Sequence, residues 1–183
     1  LSARASRAGQ GQSHGGSDIL ARTMKSDRSH LRLVRATEQD GKLIWAWRND
    51  PAARRNSLNP GKISLAHSLR WLRAKLADPD CLIFIARTPE GKPVGQVRLD
   101  FLGRGRAQVS ISVDRRHQGR GAATQMLRAI RPPLAGRRLE RCLAVVKPEN
   151  IASVVAFVKA GFRFSALVGS RGAATYRLEK RFP

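Results

Sequence analysis

The hydrophobic positions of this chain fall into two kinds of pattern, alternating runs and helical stripes. In AQVSISVD the residues from Val109 to Val113 alternate apolar and polar, which predicts a strand with one buried face. In SLAHSLRWLRAKL the leucines after Ser64 recur every three or four residues, which predicts an amphipathic helix with Ser64 as its cap. These two patterns divide most of the chain into strands and helices.

The predicted elements alternate in a fixed order along the chain. They are a strand in LRLVRA, helices in EQDGKLIWAWRND and SLAHSLRWLRAKL, strands in CLIFIAR, PVGQVRLDFLG and AQVSISVD, a helix after RRHQGRG, a strand in LERCLAVV, a helix in PENIASVVAFVKAG, and strands in FRFSALVG and ATYRLEKRF. This β-α-α-β-β-β-α-β-α-β-β order predicts a mixed α/β fold with one sheet, not a doubly wound parallel sheet.

Three helices carry specific expectations. Asp50-Pro51 ends the first helix. The helix after Gly121 is expected to bury Ala123, Met126, Leu127 and Ile130, and the last helix Ile151, Val154, Val155 and Val158.

Length and composition favour one globular domain. The chain has 183 residues, enough for one core and hardly enough for two. Residues 29–183 are expected to form that domain, and residues 1–28, rich in Ser, Gly and Arg, a disordered basic tail. The tail lacks the apolar middle of a signal peptide, and Met24 is an alternative start. No apolar run approaches the ~20 residues of a membrane helix, so a cytoplasmic protein is expected.

The net charge of +22 raises the question of a nucleic-acid partner. The basic residues are spread along the chain, and no segment mixes them with exposed aromatic residues, so nucleic acid is not expected to be the main ligand. Cys81 and Cys142 lie within apolar runs and read as buried, reduced thiols. No Cys/His pair has zinc spacing, and no metal site is predicted.

The segment RRHQGRGAATQML joins the alternating strand to a helix. Gly119 and Gly121 permit either a tight turn or the close approach of a ligand to the backbone. Free amides at the start of the helix, with Arg116 and Arg120 nearby, favour a pyrophosphate. The spacing matches neither the P-loop nor the dinucleotide fingerprint.

Two motifs resemble those of the GNAT family of N-acetyltransferases. Gln118–Ala123 has the Q-x-x-G-x-A form of that family's motif A, and NIASVVAFVKAGF, from Asn150 to Phe162, is similar to its next helix. The order of elements also matches. The resemblance implies the acetyl-CoA N-acyltransferase fold, acetyl-CoA as co-substrate, and direct transfer of an acetyl group to an amine.

The resemblance also implies roles for single residues. The pantetheine arm is expected along Ile111, Ser112 and Val113, the pyrophosphate on Gln118, Gly119, Arg120, Gly121, Ala122, Ala123 and Thr124, and Asn150 and Ser153 facing the cofactor. Phe157 stands where many members have a tyrosine that protonates the thiolate. Ser153 is therefore the expected acid, with water as the alternative. Asn150 can instead be only a helix cap, and Ser153 only a surface serine.

The base and the acceptor site are expected in the first half of the chain. His67 and Asp100 are the candidates for the base, because each can accept the proton of an ammonium group. Arg48, Arg54 and Trp71 are expected to bind the acceptor, the arginines through phosphates and the tryptophan by stacking.

The nature of the acceptor is left between alternatives. The segment from Trp45 to Leu72 resembles acetyltransferases of nucleotide-linked amino sugars, and more weakly those of ribosomal-protein N-termini. A small amine-bearing acceptor is expected; a non-catalytic acyl-CoA or RNA-binding module on the same fold is the rival. Whether the protein forms a homodimer is left open.

Overall fold

A single mixed sheet organises the protein. The computed structural model describes residues 31–132, 134–170 and 173–183, so the expected tail, residues 1–28, lies outside the described residues. The seven-stranded sheet has the order β1-β2-β3-β4-β5-β7-β6. The strands are β1 (Arg32–Arg35), β2 (Cys81–Arg87), β3 (Pro93–Phe101), β4 (Arg106–Val113), β5 (Arg141–Val146), β6 (Arg163–Ser170) and β7 (Ala173–Arg181). All neighbouring strands run antiparallel except β4 and β5, which run parallel.

The helices are α1 (Gly41–Asn49), α2 (Pro51–Asn56), α3 (Leu65–Ala77), α4 (Ala122–Arg128) and α5 (Ile151–Lys159), with 3₁₀ turns at Glu38–Asp40 and Arg115–His117. Every predicted element is present in the predicted order, which confirms the fold class. The short helix α2 was not predicted. Pro51 ends α1 as expected, but it also opens α2, where the Asp50 carboxylate accepts hydrogen bonds from the amides of Ala52 and Ala53.

Each face of the sheet carries its own apolar cluster. On one face α4 and α5 pack through Met126, Leu127 and Phe157 on alternate residues of the strands. On the other face α1 and α3 pack on β2 through residues such as Ile44 and Leu72. No helix among the described residues is long and apolar enough to cross a membrane.

The two cysteines are buried, one in each cluster, as predicted. Burial raises the pKa of the Cys81 thiol to about 11 and that of the Cys142 thiol to about 12. Both thiols therefore remain protonated near neutral pH and behave as small apolar side chains.

The predicted inward face of α5 was wrong at three of its four positions; Val154 is half-buried and packs against the core as expected. Ile151, Val155 and Val158 are 63%, 42% and 54% exposed, whereas Ala156 and Phe157 are buried. Small Ala residues let the helix lie close to the sheet and to α4, and Val155 and Val158 turn outward. In α4 a similar, smaller correction applies: Ala122 is buried, and Ala123, which was expected inward, is half-buried.

Candidate active site

The sheet opens between β4 and β5. The two parallel strands pair only at their first residues, where Arg106, Ala107 and Gln108 lie beside Arg141, Cys142 and Leu143. Beyond Gln108, strand β4 continues to pair with β3, but none of the described residues forms a strand on its other side. The predicted pantetheine residues Ile111, Ser112 and Val113 lie on this open edge and are half-buried. The edge can accept an extended amide-containing chain by strand-like hydrogen bonds.

The glycine loop follows the open edge of β4. Gly119 and Gly121 have φ angles of 73° and 77°, which glycine adopts readily. A Cβ atom built on either residue would meet nothing within 4 Å. Since packing leaves the space above both glycines empty, a ligand can contact the backbone there.

The amides of this loop are free. The first backbone donor of α4 with a partner is Gln125, whose amide donates to the Gly121 carbonyl. Among the described residues, none accepts a hydrogen bond from the amides from Gly119 to Thr124. Consecutive free amides at a loop and helix start attract an anion, and the exposed Arg120 adds positive charge. The loop can therefore hold an anion such as a pyrophosphate group.

Two predicted loop residues also hold the loop in place through their side chains. The Gln118 amide donates to the Val113 carbonyl at 3.0 Å, which fixes the loop to the end of β4. The Thr124 hydroxyl lies 3.5 Å from the Ala156 carbonyl, and the Arg128 guanidinium donates to the Lys159 carbonyl at 2.7 Å. These bonds hold α4 against α5.

Asn150 and Ser153 lie at the start of α5. The Asn150 side chain accepts a hydrogen bond from the Ser153 amide at 3.2 Å, so Asn150 caps the helix. Ser153 is half-buried and lies one turn before Phe157 on the same side of α5. The Phe157 ring is buried against Phe162, with ring centroids 4.9 Å apart. The ring therefore belongs to the core, and Ser153 is the polar group on that side.

A buried carboxylate joins the two halves of the site. The Asp114 carboxylate accepts hydrogen bonds from the Trp47 indole at 2.9 Å and from the Arg116 guanidinium at 2.9 and 3.0 Å. The Arg116 hydrogen bond, then that of Trp47, holds the pKa of Asp114 well below its usual range. The sequence did not single out this contact, because Trp47 and Asp114 are far apart in the chain.

On the face of the sheet that carries α1 and α3, polar residues gather beside the opening. The Arg98 guanidinium lies over the Trp71 ring, 5.5 Å from its centroid, and donates to the Asp100 carboxylate at 2.8 Å. The Lys75 ammonium lies 3.6 Å from the same carboxylate. The structure thus brings Trp71 and Asp100 together through Arg98, which the sequence analysis missed. The sequence signal for the Arg98–Asp100 pair is the alternation in VRLD, which places both residues on one face of the strand.

Asp100 and His67 occupy different surroundings. Asp100 lies opposite Gln108, the last residue of β4 that pairs with β5, and it already contacts two cations. His67 lies in the first turn of α3 and is exposed. Its backbone amide donates to the Ser64 hydroxyl, and its ring makes no hydrogen bond to the residues that the structure describes.

The predicted acceptor arginines hold the loop between α2 and α3. The Arg48 guanidinium donates to the Asn59 carbonyl, and the Arg54 guanidinium donates to the Pro60 carbonyl at 2.8 Å. Nη1 of Arg48 is buried and has no hydrogen-bond partner among the described residues. Burial and the charge of Arg54 both lower the pKa of Arg48. Two adjacent cations favour the binding of an anion near them.

Comparison with known proteins gives the class of this fold and site. The sequence profile of the acetyltransferase (GNAT) domain matches residues 30–163. The chain therefore belongs to the GNAT family of acetyltransferases, which confirms the expected enzyme class and acetyl-CoA as its co-substrate. No match was found among curated proteins.

Solved structures share the fold. An aminoglycoside acetyltransferase in complex with coenzyme A and kanamycin has a TM-score of 0.71 at 19% identity, over 82% of this chain and 94% of that one. A spermidine N-acetyltransferase from Vibrio cholerae with CoA and spermine has a TM-score of 0.72 at 18% identity, over 83% and 95%. An acetyltransferase from Thermus thermophilus reaches 0.68 at 23%, over 85% and 99%. At these identities the likeness extends to the fold alone.

Proposed function

We propose that this enzyme transfers an acetyl group from acetyl-CoA to the primary amine of a small acceptor, and that the acceptor is a nucleotide-linked amino sugar. The observation that carries the acceptor class is the pair of Arg48 and Arg54. Their charges are close enough that, after burial, Arg54 also lowers the pKa of Arg48. A diphosphate can bind there with two charge-assisted contacts. A polycation, such as the spermine bound to the neighbour from Vibrio cholerae, would be repelled.

The cofactor half of the reaction uses backbone groups. The free amides from Gly119 to Thr124 bind the pyrophosphate, and the open edge of β4 holds the pantetheine arm extended. Bound acetyl-CoA supplies the thioester, whose C–S bond breaks as the C–N bond to the acceptor forms. The Ser153 hydroxyl, or a water beside it, donates a proton to the leaving sulfur.

The acceptor half needs a base for the ammonium proton. His67 and Asp100 remain the candidates. We favour His67, because its ring is exposed, whereas the Asp100 carboxylate is already held by Arg98 and Lys75. Arg48 and Arg54 bind the phosphates, and Trp71 stacks on a ring of the acceptor.

The choice of base is tested by the pH dependence of the rate. If His67 is the base, its ring must be neutral to accept a proton, so kcat should rise with pH. His67→Ala should lower kcat and flatten this rise. If Asp100→Asn lowers kcat and His67→Ala leaves it unchanged, Asp100 is the base.

An acceptor screen tests the function itself. Release of the CoA thiol is measured with acetyl-CoA and a panel of amines: nucleotide-linked 4-amino sugars, the same sugars without the nucleotide, N-terminal peptides, kanamycin and spermine. We expect the highest kcat/KM for the nucleotide-linked sugars. Faster acetylation of peptides would replace this acceptor with a protein N-terminus. Binding of acetyl-CoA without thiol release for any amine would point to the non-catalytic module.

Two further expectations remain predictions. A homodimer is tested by sedimentation of the purified protein, and the exposed apolar residues of α5 offer a surface for it. A cytoplasmic location is tested by cell fractionation.

A further inference from the structure

The opening between β4 and β5 is spanned at its wide end by the α1–α2 segment. Asp114 directly follows β4, and Lys147 directly follows β5. The Trp47 indole, on α1, donates to the Asp114 carboxylate at 2.9 Å. The Lys147 ammonium donates at 3.2 Å to the carbonyl of Arg55, on α2. Residues 47–55 are therefore bonded to the ends of both strands that form the opening.

This segment is stiff over its short length. The Asp50 carboxylate accepts hydrogen bonds from the Ala52 and Ala53 amides, which fixes the angle between α1 and α2. Pro51 restricts the backbone at the same junction. A stiff segment attached to two strand ends sets the distance between those ends.

The contact with β4 also reaches the cofactor loop. The Asp114 carboxylate accepts a hydrogen bond from the Arg116 amide at 2.9 Å and binds the Arg116 guanidinium. The Asp114 carbonyl accepts a hydrogen bond from the His117 amide at 2.8 Å. These bonds shape the turn that leads into Gly119. One carboxylate therefore links α1 to the start of the pyrophosphate loop.

Helix α1 also holds the loop between α2 and α3, residues 57–64, which we call the acceptor loop. The Trp45 indole donates to the Ile63 carbonyl at 2.9 Å, and the Asn49 side chain exchanges two hydrogen bonds of 3.0 Å with the Ile63 backbone. Trp45 thus donates to the acceptor loop, and Trp47 donates to Asp114, which leads from β4 into the glycine loop.

We propose that residues 47–55 are a brace that sets the width of the opening between β4 and β5, and that Trp47 and Asp114 are the positioning residues through which it acts on acetyl-CoA binding. The inference rests on the proposed function, because it uses the acetyl-CoA site. It adds a role for a segment outside the two family motifs. Without the Trp47–Asp114 bond, the width of the opening and the shape of the glycine loop are less fixed. Binding of acetyl-CoA must then restore the correct spacing, which weakens its affinity.

Calorimetric titration with acetyl-CoA tests the brace in matched pairs of variants. Trp47→Phe removes the indole N–H that donates to Asp114. Its control, Trp45→Phe, removes the indole N–H that donates to the Ile63 carbonyl. Asp114→Asn weakens the Arg116 contact. Asp40→Asn weakens a comparable buried carboxylate, which binds Arg87 at 3.1 Å and contacts neither Trp47 nor Arg116. We expect Trp47→Phe and Asp114→Asn to raise the Kd of acetyl-CoA about 10-fold, the effect of one charge-assisted hydrogen bond. The two controls should stay within about twofold of wild type.

Several outcomes separate the possibilities. Wild-type Kd values in both Trp47→Phe and Asp114→Asn, or equal rises in the controls, overturn the brace. Failure of the wild-type protein to bind acetyl-CoA overturns the proposed function instead. If Asp114→Asn does not fold, Trp47→Phe and Lys147→Met are used instead, where Lys147→Met removes the hydrogen bond between α2 and the residue after β5. A raised Kd of acetyl-CoA in both supports the brace, and wild-type values in both overturn it. Steady-state kinetics should show a raised KM for acetyl-CoA with a smaller change in kcat, which a general loss of stability would not produce.

Discussion

The cofactor side of the opening presents main-chain groups, and the acceptor side presents side chains. On the cofactor side, the groups proposed to bind acetyl-CoA are the amides from Gly119 to Thr124 and the edge of β4. On the acceptor side, the groups proposed to bind are the charges of Arg48 and Arg54 and the ring of Trp71. A main-chain site depends on local conformation, which a short motif with correctly spaced glycines fixes. A side-chain site depends on which distant segments meet.

This difference predicts how each side responds to substitution. A main-chain site loses its function only when something fills or distorts it, since no side chain can be removed from it. A side-chain site loses one contact at a time. The largest effects are therefore expected from added groups on the cofactor side and the smaller effects from truncations on the acceptor side.

The largest expected effect is that of Gly121→Glu. The new side chain occupies the empty space above the loop, brings negative charge to a phosphate site, and strains a backbone with φ of 77°. We expect the Kd of acetyl-CoA to rise more than about 100-fold, because like charges in contact cost several kcal/mol. Isothermal titration measures it.

Gly103→Glu is the matched control for that variant. Gly103 has φ of 74°, also has open space, and lies in the turn before β4, at the end away from the loop. It should share the loss of stability and keep acetyl-CoA binding. Normal binding by Gly121→Glu would mean that the glycines serve only the turn.

Arg54→Ala tests the acceptor side. Loss of a charge-assisted contact to phosphate costs about 1.5–3 kcal/mol, so the KM of the acceptor should rise roughly 10- to 150-fold while the KM of acetyl-CoA stays unchanged. Added salt should have a similar effect on the wild-type enzyme. Arg55→Ala, which removes an exposed neighbour on the same helix, is the control. Equal effects of the two substitutions would mean that the acceptor is attracted by the general positive charge of this region and not by a specific contact with Arg54.

Ser153→Ala separates binding from chemistry on the cofactor side. If the hydroxyl protonates the thiolate, we expect kcat to fall about 10-fold, less than the full effect of a general acid because water can take its place. The Kd of acetyl-CoA should not change. Ser165→Ala removes an exposed hydroxyl from β6 and serves as control. An unchanged kcat in Ser153→Ala leaves water as the donor.

Asp114 predicts a pH effect on stability where the two sides meet. Because its pKa is lowered in the folded state, its contribution is complete above the ordinary carboxyl pKa of about 3.9 and is lost as pH falls toward the lower folded value. Asp114→Asn should cost about 1.5 kcal/mol at neutral pH, the lower end for such a bond, since Arg116 is largely exposed.

Urea unfolding of the wild-type protein and Asp114→Asn at several pH values measures this effect. The difference should be constant between about pH 6 and 8 and should shrink below about pH 4. A difference that grows as pH falls would contradict the assignment.

The parts that were predictable from the sequence are those with local signals. The order of strands and helices followed from hydrophobic period, and the glycine loop followed from motif spacing. The buried face of α5 could not be predicted, because seven of the nine residues of IASVVAFVK are apolar and no single apolar stripe stands out. Phe157 and the alanines pack closer to the core than most of the valines. Helix α2 was missed because Pro51 was read only as a stop.

The long-range contacts were beyond the sequence for a different reason. Arg98 approaches Trp71, and Trp47 approaches Asp114, only after the sheet has brought α1 and α3 over β3 and β4. Alternation shows that Arg98 and Asp100 share a face, but no local pattern tells which helix covers it. The residues proposed for the acceptor were therefore named singly, while the network that positions them was not.

The opening in the sheet leaves some backbone amides of β4 hydrogen-bonded and others exposed, a difference that hydrogen exchange can detect. Along Val109–Val113 the strand pairs with β3 on one side only. Successive amides of a strand point to opposite sides, so those facing β3 are protected and those facing the opening meet water. Fast and slow exchange should thus alternate residue by residue along one central strand. A bound extended chain would make the exchange of all of them slow.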